Sequence, residues 1–268
     1  MNVERRAWGV ERKYAFRSSA KPPFEMLYAL QTWVFNLNEV SWWVFKLKNR
    51  ANSQFKYILF DLDETLYPRE AGLMAAISER ILLFMTQKIG ISGDDALDKK
   101  RHYYQHHGTA LQGLMHEYKI EPLEFLAFVH DLNPLDFFGA SPPLDNMLQE
   151  IPLRKVIFTN ADSLHVERVL NALQVREHFD QIIDIAAINY KSKPHPLAYQ
   201  EALSLLGVAG ECCIMVEDTA RNLMPAKDLG MTTILVDGIG KSMAVDYVVP
   251  TIFHVGPILK NLLHAKEC

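Results

Sequence analysis

Two aspartates follow the first strongly apolar segment of the chain. Residues 57–60 read Tyr-Ile-Leu-Phe, and Asp61 and Asp63 come directly after them, followed by Thr65 and a Tyr67-Pro68 break. Such an apolar run is typical of a strand buried on both faces of a parallel sheet, where an unpaired carboxylate is costly. Two carboxylates two positions apart on an extended segment project to the same side. The pair therefore predicts either a shared proton or a bound cation, the alternative being an acidic loop that ends in proline.

Three later apolar segments also lead into polar residues. In chain order these residues are Thr159, Asn160, Lys193, Glu217 and Asp218. Because the carboxyl ends of parallel strands meet at one edge of a sheet, we expect all of them near Asp61 and Asp63. Mg²⁺ takes oxygen ligands, commonly one or two carboxylates, and an ammonium offsets charge on phosphoryl oxygens. Asp61 and Asp218 could bind the metal directly, with Glu217 holding a metal-bound water.

The remaining pattern predicts the elements that position these residues. Strands are expected at 56–62, 155–158, 181–185, 212–216 and 232–236, and helices at 163–173, 197–206 and 220–229. Residues 70–149 have helical spacing and no strand pattern. Alternating strands and helices with short loops indicate an α/β fold, a Rossmann-like doubly wound parallel sheet core with an inserted α-helical cap domain.

The expected domain boundaries follow from these elements. Residues 54–69 and 151–268 would form the catalytic core, residues 70–150 the helical cap, and residues 1–53 an N-terminal extension outside the core. The extension carries nine Lys/Arg and four Asp/Glu, although the net charge of the whole chain is −4. Its aromatic stretch is interrupted by Asn36, Asn38 and Glu39, so no apolar run is long enough to span a membrane. Membrane-surface docking by this segment stays open but is not favoured over a loosely packed extension.

Bulk composition excludes several classes of protein. A hydrophobic content of 49% and a charged content of 22% are ordinary for a globular protein. The chain lacks the net basic charge that is typical of nucleic-acid-binding proteins, so we expect no nucleic-acid partner. Three cysteines, of which Cys212 and Cys213 are adjacent, form no disulfide framework and no metal motif. We expect a cytoplasmic protein, or an organellar one if the N-terminal extension is a transit peptide.

Four motifs in order resemble those of the haloacid dehalogenase superfamily of phosphotransferases. They are Asp-Leu-Asp-Glu-Thr-Leu (61–66), Thr-Asn (159–160), Lys-Pro (193–194) and Glu-Asp-Thr-Ala-Arg-Asn (217–222). The resemblance implies that Asp61 is a nucleophile that forms an aspartyl-phosphate and that Asp63 is the general acid and base. It further implies that Thr159, Asn160 and Lys193 bind the phosphoryl group.

The same resemblance implies a magnesium site. Asp61, Asp218 and the backbone carbonyl of Asp63 would ligate Mg²⁺, with Glu217 close to them. Asp63 also distinguishes branches of the family, since members that cleave carbon–halogen bonds lack an acid at this position. An alcohol leaving group needs a proton, so this aspartate favours a phosphatase, and Glu64 in place of the usual Gly or Asp does not alter that.

A narrower resemblance, to the pyrimidine 5′-nucleotidase group, covers most of residues 55–250. It rests on Leu-Tyr-Pro (66–68), residues 107–114, Val-His-Asp (129–131) and residues 154–161. It implies hydrolysis of a nucleoside 5′-monophosphate such as UMP or CMP, with Gly108 and Thr109 in a cap loop (108–113) that faces base and sugar. Ala110 departs from the group's Gly-Thr-Thr-Leu pattern. The alternatives are a phosphatase of another small metabolite, such as a sugar phosphate or pyridoxal phosphate, and a catalytically inactive binding protein.

Two further sets of residues carry weaker signals. Arg221 and Asn222 follow Asp218 closely and are expected to brace its loop rather than touch substrate. His130 is expected to be a structural turn residue, although its place in the cap keeps it a weak catalytic candidate.

Overall fold

The computed structural model describes residues 55–236 and 245–264, so the predicted N-terminal extension lies outside the described residues. These residues form a six-stranded sheet in the order β3-β2-β1-β4-β5-β6, and every neighbouring pair is parallel. The predicted α/β fold is confirmed. The strands are β1 (Tyr57–Phe60), β2 (Arg154–Phe158), β3 (Gln181–Ile183), β4 (Cys213–Glu217), β5 (Thr232–Val236) and β6 (Tyr247–Val249).

Strand β1 lies at the point where the strand order reverses. It pairs with β2 on one side and with β4 on the other, so that Tyr57 faces both Arg154 and Cys213. All four of its residues are buried, as its unbroken apolar sequence predicts. At such a reversal the helices that follow neighbouring strands lie on opposite faces of the sheet, which leaves a crevice beyond the strand ends. The residues that follow β1, β2 and β4 border this crevice.

A helical insertion separates β1 from β2. Its helices are α1 (Leu73–Leu83), α2 (Gly93–His107), α3 (Ala110–Tyr118), α4 (Pro122–Val129) and α5 (Pro142–Gln149). One π-helical turn, Phe84–Lys88, continues α1. Ser92 and Thr109 cap α2 and α3 by accepting hydrogen bonds from the backbone N–H groups of Asp95 and Gln112. Only Gly108 and Thr109 of the predicted loop at 108–113 are therefore outside a helix.

Four more helices accompany the later strands. They are α6 (Ser163–Leu173), α7 (Pro196–Leu206), α8 (Ala220–Asp228) and α9 (Val255–His264). Among the residues with described structure, no helix is long and apolar enough to cross a membrane.

The observed strands differ from the predicted ones. Strand β1 covers only Tyr57–Phe60 of the predicted residues 56–62, and β2 begins one residue early, at Arg154. Strand β3 stops at Ile183 because the Asp184 carboxylate accepts hydrogen bonds from the backbone N–H groups of Ser163 and Ala187 and turns the chain. Strand β4 begins one residue late, because Cys212 belongs to a 3₁₀ turn, and it extends to Glu217. Strand β6 was not predicted, since three residues give too short a pattern to distinguish from a loop.

The packing of α2 against α3 depends on Gly113. A Cβ atom at this position would lie 2.1 Å from Cγ of Tyr103, whose side chain is 1% exposed. We expect Gly113→Ala to lower the free energy of unfolding by about 1–3 kcal/mol, because the buried ring has to move. Urea denaturation measures this change.

Gly93→Ala is the matched control. Gly93 also lies in a helix, but nothing is within 4 Å of a Cβ placed there. It should leave stability unchanged or raise it by up to about 1 kcal/mol, through the higher helix propensity of alanine. Equal effects of the two substitutions would contradict the close packing of α2 on α3.

Candidate active site

Lys193 lies at the centre of the crevice. Its ammonium group donates to Asp61 Oδ1 at 2.6 Å, to Glu217 Oε2 at 2.7 Å and to the backbone carbonyl of Phe158 at 2.9 Å. All three of its donors are therefore used, and the side chain is 1% exposed. Burial opposes the charge on Lys193, but Asp61 and Glu217 outweigh it and hold the pKa of the ammonium above its usual value.

Asn160 fixes the backbone of Lys193. Its side-chain oxygen accepts from the Lys193 N–H at 2.7 Å, and its side-chain nitrogen donates to the Lys193 carbonyl at 3.1 Å. The amide that was predicted to bind phosphate therefore positions the lysine. This pairing joins the loop after β2 to the loop after β3.

Asp61 follows β1 directly and stays in the sheet through its N–H, which donates to the Val216 carbonyl at 2.9 Å. Its Oδ2 accepts a hydrogen bond from the Thr65 hydroxyl at 3.2 Å, while Oδ1 receives the Lys193 ammonium. Burial raises the pKa of Asp61 to about 7; the charge of Glu217 adds to this rise, and Lys193 opposes it. Burial likewise raises the pKa of Glu217 to about 7. The two carboxylates share one ammonium and titrate as a coupled group.

Three carboxylates are close enough to share a cation. One oxygen from each of Asp61, Glu217 and Asp218 lies within 4.8 Å of the others. With all three ionised, the Lys193 ammonium leaves an excess of negative charge, which suits a divalent cation with oxygen ligands. Both Glu217 oxygens already accept hydrogen bonds, from Lys193 and from the Thr219 N–H. The donor set therefore fits Mg²⁺, which Asp61 and Asp218 would ligate directly with Glu217 beside them.

The side chain of Asp63 points to a different set of partners. Its Oδ1 accepts from the Tyr67 hydroxyl at 2.6 Å and lies 2.9 Å from Nε2 of His165. Burial raises the pKa of Asp63, but His165 and Tyr67 outweigh burial and hold this pKa below its usual value. Neither contact was predicted. His165 lies on the buried face of α6 with Val166 and Val169, and only its polarity on that apolar face could have singled it out.

The insertion meets the core at Gly108, which packs against the Lys193 loop. A Cβ at Gly108, where φ is +89°, would lie 3.2 Å from the Lys193 carbonyl oxygen. Arg221 donates to the Gly108 carbonyl at 2.9 Å, and its guanidinium carbon lies 4.0 Å from the centre of the Tyr104 ring. Arg221 Nε is buried without a hydrogen-bond partner among the described residues. Arg221 thus connects the core to the insertion. The sequence had predicted only that it braces the loop of Asp218.

The predicted site residues all line one pocket. They are Asp61, Asp63, Gly108, Thr109, Thr159, Asn160, Lys193, Glu217 and Asp218. Thr159 is 1% exposed, and its hydroxyl accepts from the Ala161 N–H at 3.1 Å. A second wall of the pocket is apolar and comes from the insertion. It consists of Met74, Ile77, Leu111, Phe125, Leu126 and Val129.

Residues 55–230 match the family described as haloacid dehalogenase-like hydrolase, and this match covers more than half of the chain. The chain belongs to this family. It resembles Phosphate metabolism protein 8 of Saccharomyces cerevisiae, with 24% identity over 67% of this chain and 61% of the yeast protein. The alignment thus spans less than two thirds of that relative's length.

Two other proteins are similar to this chain. Glyceraldehyde 3-phosphate phosphatase of Methanocaldococcus jannaschii is 24% identical over 77% of this chain and 98% of its own length. The solved structure of CbbY from Rhodobacter sphaeroides in complex with phosphate has a TM-score of 0.55 and 19% identity, over 76% of this chain and 97% of that one. The structural match supports the fold. The family match confirms the prediction of a haloacid dehalogenase-like hydrolase, and the archaeal relative is named as a phosphatase.

The raised pKa values predict how stability depends on pH. In the folded chain Asp61 and Glu217 hold protons up to a pH of about 7, whereas an unfolded carboxyl group releases its proton near pH 4. Because the folded chain binds these two protons more tightly than the unfolded chain does, proton binding stabilises the fold at low pH. This stabilisation is lost as the pH rises through 7. In EDTA, we expect the unfolding free energy to fall by about 1–3 kcal/mol more between pH 5 and 8 in the wild type than in Glu217→Gln.

Urea denaturation at several pH values measures this difference. The histidines are common to both proteins, so their own titration cancels in the comparison. Identical pH slopes for wild type and variant would show that Glu217 is not a high-pKa group in the folded chain.

Proposed function

We propose that this chain is a Mg²⁺-dependent phosphatase of a small phosphorylated metabolite that acts through a phosphoaspartate on Asp61. The observation that carries the proposal is the Lys193 ammonium, 2.6 Å from Asp61 Oδ1, in a pocket that also contains Asp63. An ammonium bound to a buried carboxylate orients a nucleophile and stabilises the charge of an incoming phosphoryl group.

In the first step an oxygen of Asp61 attacks phosphorus. The new aspartyl–phosphorus bond forms as the bond to the substrate alcohol breaks, and the protonated form of Asp63 gives its proton to the departing oxygen. Because Tyr67 and His165 favour the carboxylate of Asp63, this step has to draw on the minor, protonated form. Lys193 and the Thr159 hydroxyl offset the charge on the phosphoryl oxygens. The apolar wall limits the access of water to the reacting atoms.

In the second step water replaces the aspartate. Asp63, now a carboxylate, takes a proton from the water, whose oxygen bonds to phosphorus as the bond to Asp61 breaks. Inorganic phosphate leaves and the nucleophile is restored. One aspartate thus serves as acid and then as base.

Asp61, Asp218 and the backbone carbonyl of Asp63 are the groups that would hold Mg²⁺. When bound, the metal neutralises charge on the phosphoryl oxygens and helps to orient them for in-line attack. Glu217 and Lys193 then keep Asp61 in place for that reaction.

The substrate class rests on the relatives and on the pocket wall. The archaeal relative is named for hydrolysis of a three-carbon sugar phosphate, which supports a small phosphometabolite of this kind. A pyrimidine nucleoside monophosphate is the second candidate. The wall of Ile77, Leu111 and Phe125, with the Tyr104 ring beside Arg221, suits a flat base better than a polyol.

Asp61→Asn tests the mechanism. We expect kcat for 4-nitrophenyl phosphate to fall by at least about a thousandfold, because an amide cannot act as the nucleophile. Asp131→Asn, a change at an exposed aspartate, is the matched control and should leave kcat unchanged. Substantial turnover by Asp61→Asn would eliminate the phosphoaspartate route and leave another mechanism or a contaminant.

A substrate panel tests the class of metabolite. Phosphate release should be measured with Mg²⁺ and with EDTA from glyceraldehyde 3-phosphate, hexose phosphates, pyridoxal phosphate, UMP, CMP and AMP. We expect activity in Mg²⁺ only, because the carboxylate cluster binds substrate poorly while its charge is uncompensated. A preference for UMP and CMP would favour the second candidate over the first. Activity unchanged by EDTA would contradict the metal requirement.

A further inference from the structure

A buried histidine pair connects the helical insertion to Asp63. His165 lies in the first turn of α6, is 2% exposed and places Nε2 at 2.9 Å from Asp63 Oδ1. Its ring stacks on that of His130, with centroids 4.3 Å apart and planes inclined by 23°. His130 follows α4 directly. The end of an insertion helix therefore packs against the residue that contacts the proposed acid, and His130 itself also lines the pocket.

Both rings are fixed by further contacts. His130 pairs through Nδ1 with the Asp162 carboxylate, and its carbonyl accepts from Arg168 at 2.9 Å. Asp162 also caps α6 by accepting from the His165 N–H at 3.0 Å. Burying two imidazoles is costly unless they are hydrogen-bonded, and apolar side chains would fill this space at lower cost. We therefore expect the histidine pair to have a role in the site besides filling the core.

The contacts of Asp63 indicate what that is. Tyr67 and His165 both bind Oδ1, and no hydrogen bond reaches Oδ2 from the described residues. Asp63 also lines the pocket. Proton transfer to a leaving group requires the carboxyl to be held in one orientation within hydrogen-bond reach. Two donors on one oxygen hold the group in that way and leave the other oxygen for the substrate.

We propose that His165 is a positioning residue for Asp63 and that His130 supports it from the insertion. The pair fixes Oδ1, so that Oδ2 exchanges the proton with the leaving alcohol. This inference rests on the proposed phosphatase function. It makes leaving-group protonation depend on the insertion being seated against α6.

Two substrates of similar size separate this role from a general structural one. 4-Nitrophenolate leaves without a proton, whereas the alkoxide from benzyl phosphate needs one. The kcat/KM of each substrate should be measured for wild type, His165→Leu, His165→Gln and His130→Ala. His254→Asn, a change at an exposed histidine after β6, is the control. Thermal melting followed by circular dichroism shows which variants are folded.

In His165→Leu we expect kcat/KM for benzyl phosphate to fall about tenfold or more, and that for 4-nitrophenyl phosphate by less than about threefold, since only the first needs the acid. His165→Gln, which keeps an N–H donor near the Nε2 position, should recover most of the loss. His130→Ala should show the same selective loss to a smaller degree. If His165→Leu does not fold, the positioning role is tested with His165→Gln and His130→Ala. The quantity to compare is the ratio of kcat/KM for benzyl phosphate to kcat/KM for 4-nitrophenyl phosphate.

Equal losses for the two substrates, or none, in the folded variants would overturn the positioning role. A wild-type enzyme that hydrolyses neither substrate would instead overturn the proposed function itself. The two failures are therefore distinguishable by the wild-type measurement alone.

Discussion

The site depends on one buried ammonium shared by two carboxylates. Asp61 and Glu217 are 7% and 1% exposed, and Lys193 between them opposes the rise in their pKa values that burial causes. The ammonium in turn needs three acceptors. It finds them at the ends of three adjacent strands, from Asp61 after β1, from Glu217 in β4 and from the carbonyl of Phe158 in β2. The charge of the site is therefore balanced only when β2, β1 and β4 are neighbours in the sheet.

Much of this arrangement could be predicted from the sequence, because charge at the end of an apolar strand has few structural explanations. Asp61 and Glu217 stand out in that way, whereas Lys193 lies in the loop after β3 and stands out only together with the other motifs. The role of Asn160 could not be predicted, since its amide reaches Lys193 across 33 positions of chain and only the folded loops bring them together. His165 shares the helical spacing of apolar residues around it, so the sequence shows a core position. Strand β6 was too short to recognise.

The narrower resemblance, to pyrimidine 5′-nucleotidases, has less support than the family itself, and the structure gives a reason. Tyr67 donates to Asp63, and residues 154–158 form strand β2. These parts of the motif contact Asp63 and form the sheet, so they say little about the substrate. Only Gly108 and Thr109 of the predicted loop line the pocket as non-helical residues, and they lie beside the Lys193 loop. Most of the residues that carry the resemblance thus belong to the site of phosphoryl transfer, and few of them could distinguish one substrate alcohol from another.

The two walls of the pocket are encoded in different parts of the chain. The polar wall comes from loops at the strand ends, whereas the apolar wall comes from helices α1, α3 and α4, all between β1 and β2. Substitutions in those helices can reshape the apolar wall while the Lys193 contacts stay intact. Homologues can therefore diverge in the metabolite that they hydrolyse while inheriting the same chemistry. Overall identity to a relative is accordingly a poor guide to substrate in this fold, and identity along the insertion is a better one.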